Sequence, residues 1–204
     1  MTKLEHLLWG TNRQLYSKAS NPLKSHGPDH HWRVFQTALR LAKLIKAKYD
    51  PDILAAAALL HDMAAYYPEK SAGDGHDLDR TLANEVLRSI EFPASKLDAT
   101  VEAIANHGSD PKYKRANESI ETTILRDADK LDAFGPIGVA RILMVRTLRG
   151  DTLPDIVADF HTGGHLRRKW ESISAPQAKQ LGQAEYEYSV DFFARLAASL
   201  SQDV

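Results

Sequence analysis

The chain has 204 residues, with 26 basic side chains, 27 acidic side chains and no cysteine. A formal net charge of −1 gives no general attraction to nucleic-acid polymers or anionic membranes, so we expect neither as a partner. The absence of cysteine excludes disulfides and thiolate chemistry. The N-terminus MTKLEHLLWGTNRQ lacks a signal-peptide pattern, and no stretch approaches the roughly 20 apolar residues that span a bilayer, so we expect a cytoplasmic protein.

Apolar residues recur at helical spacing along the chain, and almost nothing alternates like a strand. Residues 4–15 predict an opening helix. A second helix is predicted to begin at Gly27-Pro28, because proline suits the first helical position, and to end at Asp50-Pro51. The run Ile53–Leu60 is apolar throughout and predicts a buried helix.

The later part of the chain continues the helical pattern. Further helices are predicted from His76 to Ile90, from Leu97 to His107-Gly108, from Ile120 to Asp129, from Gly135-Pro136 to Leu148, and from Ser174 onward. The segment 150–174 is weakly patterned and is interpreted as rich in loops. One all-α, multi-helix domain accounts for the whole pattern.

Histidines and aspartates fall at the ends or on the inward faces of these helices. His61-Asp62 closes the apolar run, and burying both groups is costly unless they find partners, which a divalent cation provides at once. His30 lies one turn before Val34 on the inward face of its helix, and Asp129 follows an apolar face. The simpler alternative is that His61 and Asp62 only cap a core helix.

Imidazole nitrogen with carboxylate oxygen suits Mn²⁺, Mg²⁺, Ni²⁺, Co²⁺, Fe²⁺ or Zn²⁺, and the lack of thiolate argues against a structural zinc cage. Protein ligands that leave coordination positions open admit water and substrate. The pattern therefore indicates a catalytic metal site.

Three stretches resemble a known family: HGPDHHWRV (His26–Val34), AALLHDM (Ala57–Met63) and DADKLDAFGPIGVAR (Asp127–Arg141). They are similar to the HD-domain superfamily of metal-dependent phosphohydrolases, in its branch of small stand-alone bacterial proteins. The resemblance implies an all-α HD-domain bundle over residues 1–204, with a metal-site core at about 26–141 and a helical extension at about 142–204.

The resemblance also implies a set of metal ligands. Asp129 is preferred over Asp127 and Asp132 because it precedes Lys130-Leu131, which looks like the family's Asp-Arg-Leu segment. Asp132 is then a candidate for the layer behind the ligands. The implied ligands are His30, His61, Asp62 and Asp129, and Asp62 is also expected to orient or deprotonate the attacking water.

His76 and His107 are placed like the histidines that bind a second ion in HD relatives with two metals. The alternatives are that they bind substrate phosphate or only line the pocket. We expect one ion, with two as the alternative. The other histidines are expected to be structural or exposed: His26 in a loop or cap role or at the rim of the site, His31 at the surface because it is rotated about 100° from His30, and His6, His161 and His165 away from the site.

Phosphoryl transfer depends on positioning and charge neutralisation, so nearby cations are candidate phosphate contacts. Lys130 adjoins Asp129 and is also a candidate catalytic residue, and Arg33 follows His30 by one turn. A basic loop after His107 adds Lys112, Lys114 and Arg115. The alternatives are solvated surface cations and, for Arg33, an ion pair that holds the fold.

The predicted function is a metal-dependent phosphohydrolase that acts on a nucleotide or other small phosphate ester or anhydride, as a phosphatase, phosphodiesterase or nucleotide pyrophosphohydrolase. Ala65 stands where some HD monophosphatases have an acid/base glutamate, which argues against that mechanism; an acidic residue of the following loop could replace it, namely Glu69, Asp74, Asp77 or Asp79. The alternatives are a di-iron oxygenase of the HD type and a non-catalytic nucleotide-binding or regulatory module. A homo-oligomer is left open.

Overall fold

The computed structural model describes residues 1–70, 75–108 and 118–201. Within these ranges every regular element is helical and there is no strand, which confirms the predicted all-α class. The α-helices are α1 (Lys3–Lys18), α2 (Pro28–Ile45), α3 (Pro51–Leu60), α4 (His76–Ser89), α5 (Ala94–Ala105), α6 (Ile120–Leu131), α7 (Gly135–Leu148), α8 (Leu153–Val157), α9 (His165–Glu171) and α10 (Pro176–Ser201). No helix in the described ranges is long and apolar enough to cross a bilayer.

The chain divides into two compact units, Met1–Ala128 and Asp129–Val204. The division falls within the continuous helix α6, so Asp129 is carried by the helix whose first nine residues belong to the first unit. The predicted organisation as one HD domain with a core at about 26–141 stays a prediction.

Helix α3 is the centre of the first unit and packs against α1, α2 and α5. Every side chain from Leu54 to Leu60 is at most 2% exposed, as the unbroken apolar run predicts. Burying each of these leucines contributes about 1.5–3 kcal/mol. The Asp50 carboxylate caps the start of the helix by accepting from the N–H groups of Asp52 and Ile53, so α3 is fixed at both its start and its sides.

Helix α2 begins at Pro28 as predicted, and its inner residues Val34, Ala38 and Leu41 are fully buried together with His30. The prediction that His31 is exposed was wrong, because its side chain is also fully buried. Helix α2 packs against both α1 and α3. Its buried surface is therefore wider than the single face that the periodicity indicated.

In the second unit, α10 packs against α7, α8 and α9. The segment 150–174 contains more helix than its weak pattern indicated: α8, a π-helical turn at Ala158–Thr162, and α9. Elements of five to seven residues are too short to show a helical period. The signal that could have revealed α8 is local, since Thr152 and Asp155 form a capping box around Pro154.

Gly135 separates α6 from α7, where the sequence predicts a break. Its φ of 74° is in the left-handed region, and a Cβ atom at this position would lie 2.0 Å from a carboxylate oxygen of Glu185. Its backbone N–H donates to the Ser189 hydroxyl at 2.8 Å. The left-handed conformation therefore favours glycine at this turn, and a larger residue would also displace the Glu185 side chain.

Candidate metal centre

One nitrogen or carboxylate oxygen from each of four residues lies within 4.8 Å of the other three. His30 is in the first turn of α2, His61 follows the last residue of α3, Asp62 comes next, and Asp129 is in the last turn of α6. These four are the residues that the sequence predicts as metal ligands. Their grouping is observed, and their binding of an ion stays a prediction.

The donor atoms of the two buried histidines face each other, with Nε2 of His30 3.2 Å from Nε2 of His61. Nδ1 of His61 lies 3.0 Å from the Ala58 carbonyl oxygen, which places the hydrogen on Nδ1 and the lone pair on Nε2. Both Nε2 atoms are 3.5 Å from Oδ2 of Asp62. Lone pairs that converge in this way are favourable only around a proton or a cation.

The spacing of the four donor atoms suits a divalent ion. Metal bonds to imidazole and carboxylate of about 2.0–2.2 Å place two ligands at most about 4.4 Å apart. The observed limit of 4.8 Å is within a few tenths of an ångström of that value. The residues present therefore fit a metal ion bound by nitrogen and oxygen.

The Asp62 carboxyl is surrounded by histidines. Burial acts to raise its pKa, but the nearby His61, together with hydrogen bonds to His107 and His30, holds the pKa well below its ordinary value. The side chain retains 20% exposure, so one side of the group faces solvent. Asp62 is therefore an ionised carboxylate that water can reach.

Local backbone geometry turns the His61-Asp62 pair out of the helix. His61 keeps helical angles, whereas Asp62, at φ −115° and ψ 36°, leaves the helix and precedes a 3₁₀ turn at Met63–Tyr66. The buried Asp79 carboxylate of α4 accepts from the Ala64 N–H at 2.6 Å and holds that turn. Asp79, considered above as an acid/base, thus has a backbone partner, while Asp74 lies outside the described residues.

His107 and His76 lie beside the four grouped residues. Nε2 of His107 is 3.2 Å from Oδ1 of Asp62, and the ring centroids of His76 and His107 are 4.9 Å apart. Asp62 therefore presents Oδ2 to His30 and His61 and Oδ1 to His107. The predicted roles of His107, as a ligand of a second ion, as a contact of substrate phosphate or as a residue that only lines the pocket, stay predictions.

His26 approaches the site more closely than the sequence indicated. Its Nε2 atom is 4.0 Å from Oδ2 of Asp62, its Nδ1 atom is 2.8 Å from the Ser25 hydroxyl, and its side chain is 29% exposed. Of the roles weighed for His26, this position corresponds to the rim of the site. The sequence indicated this position only through its spacing, since His26 lies four residues before His30.

The predicted phosphate contacts have different surroundings. Lys130 is only 2% exposed, and its ammonium donates to the Ser172 carbonyl at 2.7 Å. The Arg33 guanidinium donates to the Asp29 carboxylate at 2.7 Å, which is the ion pair considered as its alternative role. Lys112, Lys114 and Arg115 lie outside the described residues.

Asp127 and Asp132 are the two aspartates that were not preferred as metal ligands. Asp127 is fully buried. Asp132 accepts from Arg141 at 2.6 Å within the second unit.

The chain is thus an all-α protein with a candidate metal centre, in which two histidines and two carboxylates lie at or near helix ends. The model of the HD domain matches residues 29–133, just over half of the chain, so the chain belongs to the HD-domain family. This match confirms the resemblance to the HD-domain superfamily that the sequence motifs indicated.

The chain is similar to several bacterial proteins over nearly its whole length. It is 26% identical over 192 residues to the uncharacterized protein YpgQ of Bacillus subtilis, covering 90% of each chain. The crystal structure of YpgQ in complex with ADP superposes with a TM-score of 0.69, 23% identity and coverage of 98% and 97% of the two chains.

Two further crystal structures share the fold. One is a protein from Lactobacillus plantarum, with a TM-score of 0.76, 22% identity and coverage of 99% of each chain. The other is an HD-superfamily hydrolase from Bacillus thuringiensis, with a TM-score of 0.71, 21% identity and coverage of 97% and 96%.

Proposed function

We propose that the protein is a metal-dependent phosphohydrolase that acts on a nucleotide or another small phosphate ester or anhydride. The observation that carries the proposal is the group His30, His61, Asp62 and Asp129, whose donor atoms lie within 4.8 Å of one another. The ADP bound to the similar YpgQ protein supports a nucleotide as the substrate.

In this proposal the four residues hold one divalent ion, of which Mn²⁺, Mg²⁺, Ni²⁺, Co²⁺, Fe²⁺ and Zn²⁺ are the candidates. Such an ion lowers the pKa of a bound water to about 7 and polarises a phosphoryl oxygen. His30 and His61 supply neutral nitrogen donors from the core, and Asp62 supplies an anionic oxygen on the solvent side. The ionised Asp62 carboxylate is the group that can accept a hydrogen bond from the attacking water and orient it.

The cations take different parts in this proposal. Arg33 is partly exposed and already charge-paired, so it can move from Asp29 to a phosphate without losing burial energy. Lys130 can reach a phosphate only if its ammonium leaves the Ser172 carbonyl, at the cost of a charged hydrogen bond. We therefore rank Arg33 above Lys130 as the phosphate contact, and Lys112, Lys114 and Arg115 remain proposals from the sequence.

The proximity of His76, His107 and Oδ1 of Asp62 supports a second candidate function. A second ion at these atoms would be compatible with a two-metal hydrolase and also with a di-iron oxygenase of the HD type. A third alternative is a nucleotide-binding or regulatory module without turnover. The intact group of four candidate ligands argues against the module without turnover.

The test combines metal analysis with a substrate screen. Purified protein is loaded with Mn²⁺, Mg²⁺, Ni²⁺ or Co²⁺ and assayed for phosphate or pyrophosphate release from nucleotides, sugar phosphates and a generic phosphodiester. We predict that Asp62→Ala abolishes metal-dependent hydrolysis while the far-UV circular dichroism stays that of the wild type. Asp98→Ala removes an exposed aspartate of α5 and is the matched control, with unchanged turnover.

Each outcome separates the candidate functions. Full activity in Asp62→Ala would contradict the proposed role of the metal centre. Oxygen-dependent turnover with two bound irons would favour the oxygenase. Tight nucleotide binding by metal-loaded protein with no product from any substrate would favour the regulatory module.

A further inference from the structure

A buried arginine of α6 joins the two chain segments that flank residues 109–117. Arg126 is 3% exposed; Nη1 donates to a carboxylate oxygen of Glu118 at 2.6 Å, and Nη2 donates to the backbone carbonyl of Asn106. Asn106 precedes this segment and Glu118 follows it. One guanidinium therefore connects α6 to the C-terminal end of α5.

The Asn106 carbonyl is a backbone group that needs a partner. Asn106 caps the C-terminus of α5, where the last carbonyl groups of a helix have no partner within the helix. A cation at this end of a helix is also favoured by the helix dipole. The Asn106 side chain is engaged separately, because its amide donates to the backbone and carboxylate oxygens of Glu102, each at 2.8 Å.

His107 is the next residue, and its position follows from that of Asn106. Nδ1 of the ring is hydrogen-bonded to the Ile104 carbonyl at the end of α5, and Nε2 is 3.2 Å from Oδ1 of Asp62. The ring is thus held by the last turn of α5. Any shift of that turn changes the distance between His107 and Asp62.

Two arginines from other helices contact α5 or its C-cap in this region, and they differ in exposure. Arg80 of α4 pairs with Glu102, but their side chains are 39% and 45% exposed, so water and salt weaken that pair. The side chains of Arg126 and Glu118 are 3% and 12% exposed. The buried arginine is therefore the stronger of the two constraints on the end of α5.

The geometry also distinguishes arginine from other residues at this position. The planar guanidinium group donates to two acceptors in fixed directions. The single ammonium of lysine does not reproduce this geometry. The Nε atom is buried and has no hydrogen-bond acceptor in the described part of the chain. A buried charge with an unused donor is a poor choice for stability alone, since apolar packing fills the same space without that cost.

We propose that Arg126 is a positioning residue for the candidate metal centre: through the Asn106 carbonyl it fixes the His107 imidazole against Asp62. The proposal rests on the proposed function only in treating Asp62 and His107 as parts of the functional site. The positioning itself is a property of the protein without metal and can be measured there.

The first experiment observes the histidine rings directly. Metal-free protein with ¹⁵N-labelled histidine is examined by long-range ¹H–¹⁵N NMR, and the His107 signals are assigned with a His107→Gln variant. Arg126→Lys keeps a charge for Glu118 but gives up the contact with Asn106. Glu118→Gln removes the ion pair and leaves that contact in place.

We expect Arg126→Lys to displace the ring signals of His107 clearly and Glu118→Gln to displace them much less. Arg146→Lys is the matched control, because Arg146 also bridges two carboxylates, those of Asp151 and Asp159, in the second unit. It is expected to lower the melting temperature and leave His107 unchanged. If Arg126→Lys does not fold, Arg126→Gln carries the same comparison.

His107 signals in Arg126→Lys that coincide with those of the wild type would overturn the proposal. Equal displacement by Glu118→Gln and Arg126→Lys would also overturn it, because the ion pair and not the Asn106 contact would then position the ring. If Arg146→Lys displaced the His107 signals as much as Arg126→Lys does, a general loss of stability would explain the effect and the proposal would be overturned.

The second experiment titrates the same variants with Co²⁺ and follows its visible absorption. Partners behind metal ligands typically change metal affinity about 10–100-fold, so we expect Arg126→Lys to bind Co²⁺ about tenfold more weakly than Arg146→Lys does. If even the wild type binds no metal, the proposed function fails. The positioning role would still stand or fall on the NMR result.

Discussion

Nε2 of His30 and Nε2 of His61 lie 3.2 Å apart, although 31 positions separate the two residues in the sequence. Both rings are fully buried, and Oδ2 of Asp62 is 3.5 Å from each of these nitrogens. Packing of α2 against α3 has therefore placed two donor atoms at the distance that a shared cation requires.

We predict that a divalent ion stabilises the protein. An ion that binds only the folded state adds about 2.7 kcal/mol of stability when its concentration is 100 times its dissociation constant. The melting temperature should rise with Mn²⁺ or Co²⁺ and return to its initial value with a chelator. The gain should shrink at low pH, because protons compete for the histidine nitrogens. The same gain in a His30→Gln, His61→Gln double variant would show that the ion binds elsewhere.

We predict that His107→Gln keeps one bound ion and binds it about 10–100-fold more weakly, because the partner of Oδ1 of Asp62 is lost. The measurement is metal content per chain by elemental analysis, with affinity by titration calorimetry. His165→Gln, in the second unit, serves as the control. A fall from two ions to one would instead establish a binuclear site.

We predict that Arg33→Ala raises KM for a phosphorylated substrate by about tenfold or more, through loss of a charged hydrogen bond, while kcat changes little. Asp29→Ala removes the Asp29 carboxylate that pairs with Arg33 and should leave KM unchanged. Because the Asp29 side chain is 73% exposed, each variant should lose less than about 1 kcal/mol of stability. If KM is the same in the wild type and both variants, Arg33 has only the role of an ion pair.

We predict that His31→Leu stabilises the protein, with a gain that grows as the pH falls. Within the part of the chain that the structure describes, neither ring nitrogen of His31 has a hydrogen-bond partner. Burial, followed by the charges of His61 and His30, holds its pKa well below 6.5. Below pH 6.5 the unfolded chain binds a proton at this histidine and the folded chain does not, so the wild type loses stability as the pH falls.

The gain in His31→Leu should be on the order of 1 kcal/mol at pH 7, from removal of an unsatisfied buried group. It should increase by at most about 1.4 kcal/mol per pH unit below that. Urea unfolding at several pH values measures it. His161→Leu replaces an exposed histidine and is the matched control. A gain in His31→Leu that does not vary with pH would mean that His31 binds a proton equally in the folded and unfolded states, and it would contradict the lowered pKa.

The parts of the site that could be predicted from the residues were those that a local sequence pattern indicates. The apolar run before His61-Asp62 predicted a buried helix with polar groups at its end. His30 was predicted to point inward because it lies on the apolar face of α2. The approach of His107 to Asp62 depends on how α5 packs against α3, which no local pattern contains. The family resemblance supplied Asp129, which periodicity alone did not distinguish from Asp127 or Asp132.

The wrong prediction for His31 has a physical cause. It was assigned to the surface because one face of α2 was taken to be the whole buried surface, whereas α2 packs against both α1 and α3. The hydrogen bond from Lys130 to the backbone carbonyl of Ser172, 42 positions away, could not be predicted either, because any residue type offers such a carbonyl. The role of Lys130 as a phosphate contact or catalytic residue stays a prediction.

The hydrogen bonds of Arg126 to Asn106 and Glu118 bear on which substitutions this protein tolerates. Because one side chain holds both residues, a single change at position 126 releases the chain at two points at once. The register of the imidazole at position 107 with the centre it serves therefore depends on one side chain of a different helix.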